Sequence, residues 1–149
     1  MTRVETSVVV NWPLEDVFAF IANFENNPKW QSGMQEARKT SEGPIDVGTT
    51  YNQLAKFMGR PVESIFEIVE CEPNRRIKGR RTSGSFLITF TRTVEPAAEG
   101  TRVRDLIEGE AGGFFKLAEP FLNRMVQRQV NADYSNLKSL LESDAVDKP

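Results

Sequence analysis

From Arg3 to Val10 the chain alternates, with Val4, Thr6, Val8 and Val10 on one side and Arg3, Glu5 and Ser7 on the other. A period of two predicts a half-buried β-strand. Asn11 follows as a candidate helix N-cap, with Pro13 at the first turn, where a missing N–H costs nothing. Val17, Phe18 and Ile21 recur at helical spacing and predict a short amphipathic helix over about residues 13–22. A second short helix or turn is expected over Glu25 to Trp30.

Beyond this point the pattern is strand-like, with strands expected at 34–41, 48–58, 61–71, 75–82, 85–95 and 101–110. The breaks carry turn residues: Gly43-Pro44, Gly59-Arg60-Pro61, Pro73-Asn74, Ser83-Gly84 and Pro96 through Gly100. Short connections make successive strands antiparallel neighbours, since a parallel pair needs a crossover. After Gly112-Gly113 the period becomes helical. Leu117, Phe121 and Met125 (with Leu122 and Val126 beside them), Val130, Leu137, Leu140 and Leu141 keep to helical spacing and predict a helix of about thirty residues, with Pro120 in its first turns as a bend or a later start. The class is α+β: a seven-stranded curved antiparallel sheet around one long C-terminal helix, with two short helices after the first strand. Such a sheet must cover its apolar face, and that helix is the element long enough to do so. A twisted sheet closed by one helix leaves a tapering gap, a typical ligand site.

Composition narrows the chemistry. The chain has 149 residues, no histidine, one cysteine, ten phenylalanines and a formal net charge of −2. Without histidine there is no Ser-His-Asp or Cys-His machinery and no His-ligated metal. The lone Cys71 closes no internal disulfide and, flanked by two glutamates, is expected to have a raised pKa and a structural role. Neither a metal nor a cofactor is expected. One domain over residues 1–142 with a disordered tail at 143–149 is expected, cytoplasmic because no apolar leader or membrane span is visible. The acidic balance argues against a nucleic-acid partner.

Several short stretches, in this order, resemble the START-like superfamily, also called the birch-pollen-allergen or SRPBCC group, and within it the polyketide cyclase/dehydrase and lipid-transport branch. They are Pro13 with Val17-Phe18 and Ile21, Asn23-Phe24, Pro28-Lys29-Trp30, Val47-Gly48-Thr49, Gly59-Arg60-Pro61, Phe66 through Pro73, Gly84, Phe90, Gly100-Thr101-Arg102-Val103 and Leu137 through Glu142. The likeness spans nearly all of residues 3–142. It implies a helix-grip fold with an elongated, largely apolar cavity between sheet and helix, holding a lipid, polyketide or aromatic metabolite. Some members catalyse cyclisation or dehydration, but the group has no shared catalytic motif, so no catalytic residue is carried over.

Alternation supplies candidate cavity walls. Tyr51, Ala55 and Phe57 share a face with Thr49 and Gln53, Val62, Ser64, Phe66 and Ile68 follow, then Phe86, Ile88 and Phe90, then Val103, Asp105 and Ile107. The helix offers Leu117, Phe121, Met125 and Arg128, and Trp30 and Met34 are expected near the mouth. The competing reading is that these side chains interlock as core. Among the polar members, Tyr51, Gln53, Asp105 and Arg81 are candidates to orient a ligand, with an Arg81–Asp105 pair suited to a carboxylate or enolate oxygen and a cross-strand ion pair as the alternative. The run Arg75 to Arg81, with Arg92, Arg102 and Arg104, reads as an outer face paired with Glu63, Glu67, Glu108 and Glu110 rather than an anionic-membrane or nucleic-acid patch. Gly112-Gly113-Phe114-Phe115 starts the helix, with one Phe packed inward, or its phenylalanines cap a cavity or meet a membrane.

The sequence is read first as a carrier or sensor of a small apolar ligand, with a cyclase/dehydratase whose base is not histidine as the alternative and a protein-interaction adaptor with a filled interior as the second alternative. A homodimer is left open, and stable membrane insertion is not expected.

Overall fold

The computed structural model describes residues 2–57, 59–83, 87–110 and 119–143. Strand β1 (Thr2–Val10) leads into helix α1 (Leu14–Ala22) and a 3₁₀ helix (Phe24–Lys29). Strands β2 (Met34–Lys39), β3 (Thr50–Phe57), β4 (Arg60–Glu72), β5 (Arg76–Arg81), β6 (Leu87–Ala97) and β7 (Gly100–Glu110) follow, and α2 (Glu119–Glu142) closes the chain. The seven strands form one antiparallel sheet in the order β1-β7-β6-β5-β4-β3-β2. All neighbours but one are sequential, which is what short connections produce. The exception brings β1 beside β7, with Val4 opposite Ile107 and Val10 opposite Thr101.

Strand ends follow the turn residues. Asn74 (φ 61°) and Gly59 (φ 79°) take left-handed backbone at the β4–β5 and β3–β4 turns. Gly100, at φ 136°, has a further reason: a Cβ there would lie 2.3 Å from the carbonyl oxygen of Val10. Two strands are bulged, β2 between Met34 and Glu36 and β4 between Ile68 and Glu70. The second bulge advances the pleat by one residue, so Cys71 pairs with Ile77 and packs against the core. Burial, with a smaller push from Asp46, raises the Cys71 thiol pKa; flanking glutamates are not the leading cause.

Helix α1 begins differently from expectation. Pro13 is its N-cap, with no side-chain hydrogen bond, and the Asn11 amide instead donates to Glu142 Oε2 at 2.8 Å. Proline needs no acceptor, so the first turn is tolerated uncapped. Asn23 caps the 3₁₀ helix by accepting from the Glu25 amide at 3.1 Å. The helix α2 lies along β1. Gln127 Nε2 donates to the Glu5 carbonyl at 2.9 Å and Lys138 Nζ to the Val9 carbonyl at 2.7 Å.

The core lies between the concave sheet face and the helices, built from Val4, Val10, Val17, Phe18, Ile21, Phe24, Ile68, Ile77, Val94, Val103, Leu137 and Leu141. The convex face carries cross-strand pairs, as its charge pattern predicts. Arg80 meets Glu67 at 3.4 Å and Arg104 meets Glu95 at 2.9 Å, while Arg76 lies 3.8 Å from Glu72. These pairs are solvent-exposed, so each contributes roughly 0–1 kcal/mol. Glu67 is the expected partner; Glu72 and Glu95 take the places anticipated for Glu63 and Glu108.

Candidate functional site

Register fixes the concave face. Tyr51 opposes Phe66, Gln53 opposes Ser64 and Ala55 opposes Val62. Phe66 opposes Arg81, Gly79 opposes Phe90, Phe90 opposes Ile107 and Arg92 opposes Asp105. Burial is graded along this face. Tyr51, Gln53, Ile68, Ile77, Arg92, Val103 and Asp105 are buried, whereas Ala55, Val62, Ser64, Phe66, Ile88 and Ile107 on the same face are only half-buried. Helix α2 is graded in the same sense. Its second half seats Val130, Tyr134, Leu137 and Leu141 in the core, while Pro120, Phe121, Arg124 and Arg128 are exposed. Sheet and helix therefore pack tightly at the second half of α2, the closed end, and more loosely at its first half, the open end.

At the closed end a charged network crosses the interior. The Arg92 guanidinium, 2% exposed, donates from Nη1 to the Ile21 carbonyl at 2.7 Å and to Asn27 Oδ1 at 3.0 Å. Ile21 lies in the last turn of α1, where carbonyls lack helical partners, so Arg92 satisfies one of them from the sheet. The guanidinium stands 5.0–5.1 Å from the ring centroids of Phe24, Trp30 and Phe90, a cation–π setting that compensates for lost hydration. Its Nε is 3.9 Å from Asp105 Oδ2, and that oxygen accepts a 2.6 Å hydrogen bond from the Tyr134 hydroxyl. Burial raises the Asp105 pKa, with Arg92 and the Tyr134 hydrogen bond opposing that rise. A second carboxylate, Asp133, accepts from the Ser32 amide at 3.1 Å and from Gln129 Nε2 at 2.9 Å, tying α2 to the segment before β2.

Some buried polar atoms of the interior have no partner among the described residues. Gln53 Nε2, Arg81 Nε, Trp30 Nε1 and Asp105 Oδ1 are buried and form no hydrogen bond among the described residues. Buried polar groups are nearly always satisfied, by protein, water or ligand. Burial pushes the Tyr51 pKa up to about 12, which keeps the phenol neutral and able to donate. Gly79 shapes the same wall: a Cβ there would fall 2.6 Å from Cζ of Phe90, so the bare backbone admits the ring, which packs at 5.0 Å from Phe24 and 5.4 Å from Phe66.

The structure brings Tyr51, Gln53, Phe66, Arg81, Ile88, Phe90 and Asp105 to one concave face. Phe57 ends β3 opposite Arg60, and Phe86 lies outside the described residues, as do Leu117 and Gly112 through Phe115. Met34 is half-buried opposite Ala55, and Met125 is half-buried on α2. Three placements are corrected. Trp30 is not at a mouth but 2% exposed, its indole against Tyr134 at 4.8 Å, because the 3₁₀ helix folds it inward. Phe121 is 66% exposed: nine residues before Val130 at about 100° each puts it on the opposite side of the helix. Arg128, two residues before Val130, turns outward for the same reason. The expected Arg81–Asp105 pair does not form; Asp105 faces Arg92, which by charge pattern alone belongs to the outer patch. The signal for Arg92 was present, since it shares parity with Ile88, Phe90 and Val94. Tyr134 carries a signal of the same kind, lying four residues after Val130 and three before Leu137.

The family model described as polyketide cyclase / dehydrase and lipid transport matches residues 1–142. Among solved structures, TTHA0849 from Thermus thermophilus superposes with a TM-score of 0.81 at 20% identity, over 93% of this chain and 96% of that one. The di-domain ARO/CYC protein BexL of the BE-7585A biosynthetic pathway gives 0.76 at 21% identity, over 95% of this chain and 47% of that one. A START superfamily protein from Mycobacterium smegmatis gives 0.70 at 15% identity, over 95% of each chain. At such identities the likeness establishes the START-like, helix-grip fold. No curated protein matches the sequence.

Proposed function

Because the chain belongs to the polyketide cyclase/dehydrase and lipid transport family, we propose that it binds a small, mostly apolar ligand between the concave sheet face and the first half of α2. The observation that carries this reading is the pairing of a half-buried apolar wall (Ala55, Val62, Phe66, Ile88, Ile107) with unpartnered polar atoms of Gln53 and Arg81 on the same face. A wholly filled core has no use for such atoms, whereas a ligand with one or two oxygens satisfies them. The apolar body rests on Phe66 and Ile107, and Gln53 and Arg81 donate to its oxygen. Native mass spectrometry of gently purified protein tests for a retained metabolite, and the neutral dye Nile red titrates the cavity directly. Nile red is expected to bind saturably and to be displaced by that metabolite. Gln53→Leu is expected to weaken the metabolite by a few fold, the loss of one hydrogen bond. Absence of both retained ligand and dye binding overturns the reading.

A catalytic variant of this reading, cyclisation or dehydration of the bound molecule, draws on Asp105. Its Oδ1 is buried without a partner among the described residues, on the face where the ligand would sit, and burial raises its pKa against the opposing pull of Arg92 and Tyr134. Conversion of a bound poly-β-ketone that is lost in Asp105→Asn while binding survives would support the enzyme.

A further inference from the structure

Beside the open end of the concave face lies a cleft of about 560 Å³ between the start of β1 and the first half of α2. Its polar lining is Arg3, Asn123, Arg124, Gln127, Arg128 and Asn131. Arg124 and Arg128 are one helical turn apart, so their side chains rise from the same face of α2, and Arg3 faces them from the sheet edge. All three arginines are exposed, and among the described residues none of them forms an ion pair or a hydrogen bond. Arg3 stands opposite Glu108 in the β1–β7 register and still does not pair with it. The contrast with the convex face is plain, since Arg76, Arg80, Arg102 and Arg104 there all meet a carboxylate.

Three like charges around one cleft repel each other and are stabilised by an anion. Asn123 Oδ1, at the same place, is buried without a hydrogen-bond partner. Arginine forks match the oxygens of phosphate in pairs. A phosphomonoester, carrying roughly −1.5 to −2 charges with three acceptor oxygens, balances three guanidinium groups better than a single carboxylate does. The cleft also has an apolar wall in Val4, whose partner across the sheet is Ile107 of the half-buried concave end.

We propose that this cleft holds the phosphate headgroup of an amphiphile whose apolar chain enters the cavity. The placement of the chain rests on the cavity reading; the headgroup site rests on the arginines. The phosphate belongs either to a molecule taken from solution or to one lifted from a bilayer, and the test separates the two.

The full chain and Arg124→Gln/Arg128→Gln are compared by calorimetric titration with dodecyl phosphate below its micelle concentration, dodecanol and inorganic phosphate, and by flotation with phosphatidylcholine vesicles with and without phosphatidic acid. Glutamine keeps the helix propensity, and an unchanged thermal midpoint verifies the fold. Dodecyl phosphate is expected to bind at least about tenfold tighter than dodecanol, a difference near 1.4 kcal/mol, and the double variant to erase that advantage. Phosphate binding without vesicle capture assigns the ligand to solution; capture that needs both phosphatidic acid and the arginines assigns it to a bilayer. Equal affinity for the two chain probes, or an unchanged dodecyl phosphate affinity in the double variant, overturns the headgroup site. Nile red separates the two readings: retained dye binding with no phosphate advantage leaves the cavity intact, and a phosphate advantage without dye binding removes the cavity alone.

Discussion

Tyr134 on α2 donates its phenolic hydrogen to Asp105 Oδ2 on β7 across 2.6 Å, and Arg92 approaches the same oxygen to 3.9 Å. One oxygen thus joins the terminal helix to the sheet and, through Arg92, to the last turn of α1. Removing one member strands the others. Arg92→Met or Asp105→Leu is expected to destabilise by about 3–5 kcal/mol, because each leaves a buried partner uncompensated. Tyr134→Phe is expected to cost about 1–3 kcal/mol. The double variant Arg92→Met/Asp105→Leu should cost clearly less than the two singles added, as read from urea unfolding of all four proteins.

Gly79→Ala tests the close approach of backbone and ring. The new methyl would sit 2.6 Å from Phe90, a ring already held between Phe24 and Phe66, so the sheet or the ring must shift. A loss of about 1–3 kcal/mol is expected, recovered in part by Phe90→Leu, and thermal unfolding of the three variants reads it directly.

Tyr51 and Tyr134 are the two tyrosines of the chain, and burial raises the pKa of both. In the folded protein the neutral phenol is favoured, so the stability linked to Tyr51 is intact below pH 10.0 and falls as pH rises toward about 12. Absorbance at the phenolate band should stay flat past the ordinary tyrosine midpoint and then rise together with loss of the far-ultraviolet signal. A phenolate signal appearing near pH 10 in folded protein would contradict this.

Two carboxylates should oppose each other in acid. Burial raises the Asp133 pKa above 3.8, against the Ser32 amide and Gln129, so its contribution is largest below that pH and is lost as pH rises through the folded value. The Lys138 hydrogen bond lowers Glu142 below 4.5, with help from the Asn11 amide, so its contribution is present above that pH and is lost as pH falls. Relative to wild type, Asp133→Asn should lose most in stability at low pH and Glu142→Gln most near neutrality, in unfolding measured as a pH series.

Much of this architecture is legible in the chain. Turn residues mark every strand boundary to within a few positions, and alternation assigns the concave face of β3, β4, β6 and β7. What alternation does not reveal is where charge is buried. Arg92 reads as one more cation of an outer patch until the three rings and the α1 carbonyl that surround it are assembled from distant segments. The β4 bulge that turns Cys71 inward has no Gly or Pro to announce it. The phase of α2 is legible only if counted from the residues that pack, Val130, Leu137 and Leu141; counted from Phe121 it points the wrong way, since an exposed phenylalanine breaks the rule used to read it.

The pairing of β1 with β7 orders events in time. Thr2 finds Gly109, and Val10 finds Thr101, across most of the chain. While the protein is being made, β1 leaves the ribosome with neither its strand partner nor α2 to cover it, and β2 through β6 can pair sequentially before it docks. The last step is then a closure over a long loop, which slows folding and leaves an apolar strand edge open to other chains until it is complete. A nascent-chain chaperone that shields residues 2–10 would serve this fold more than one acting on any later strand.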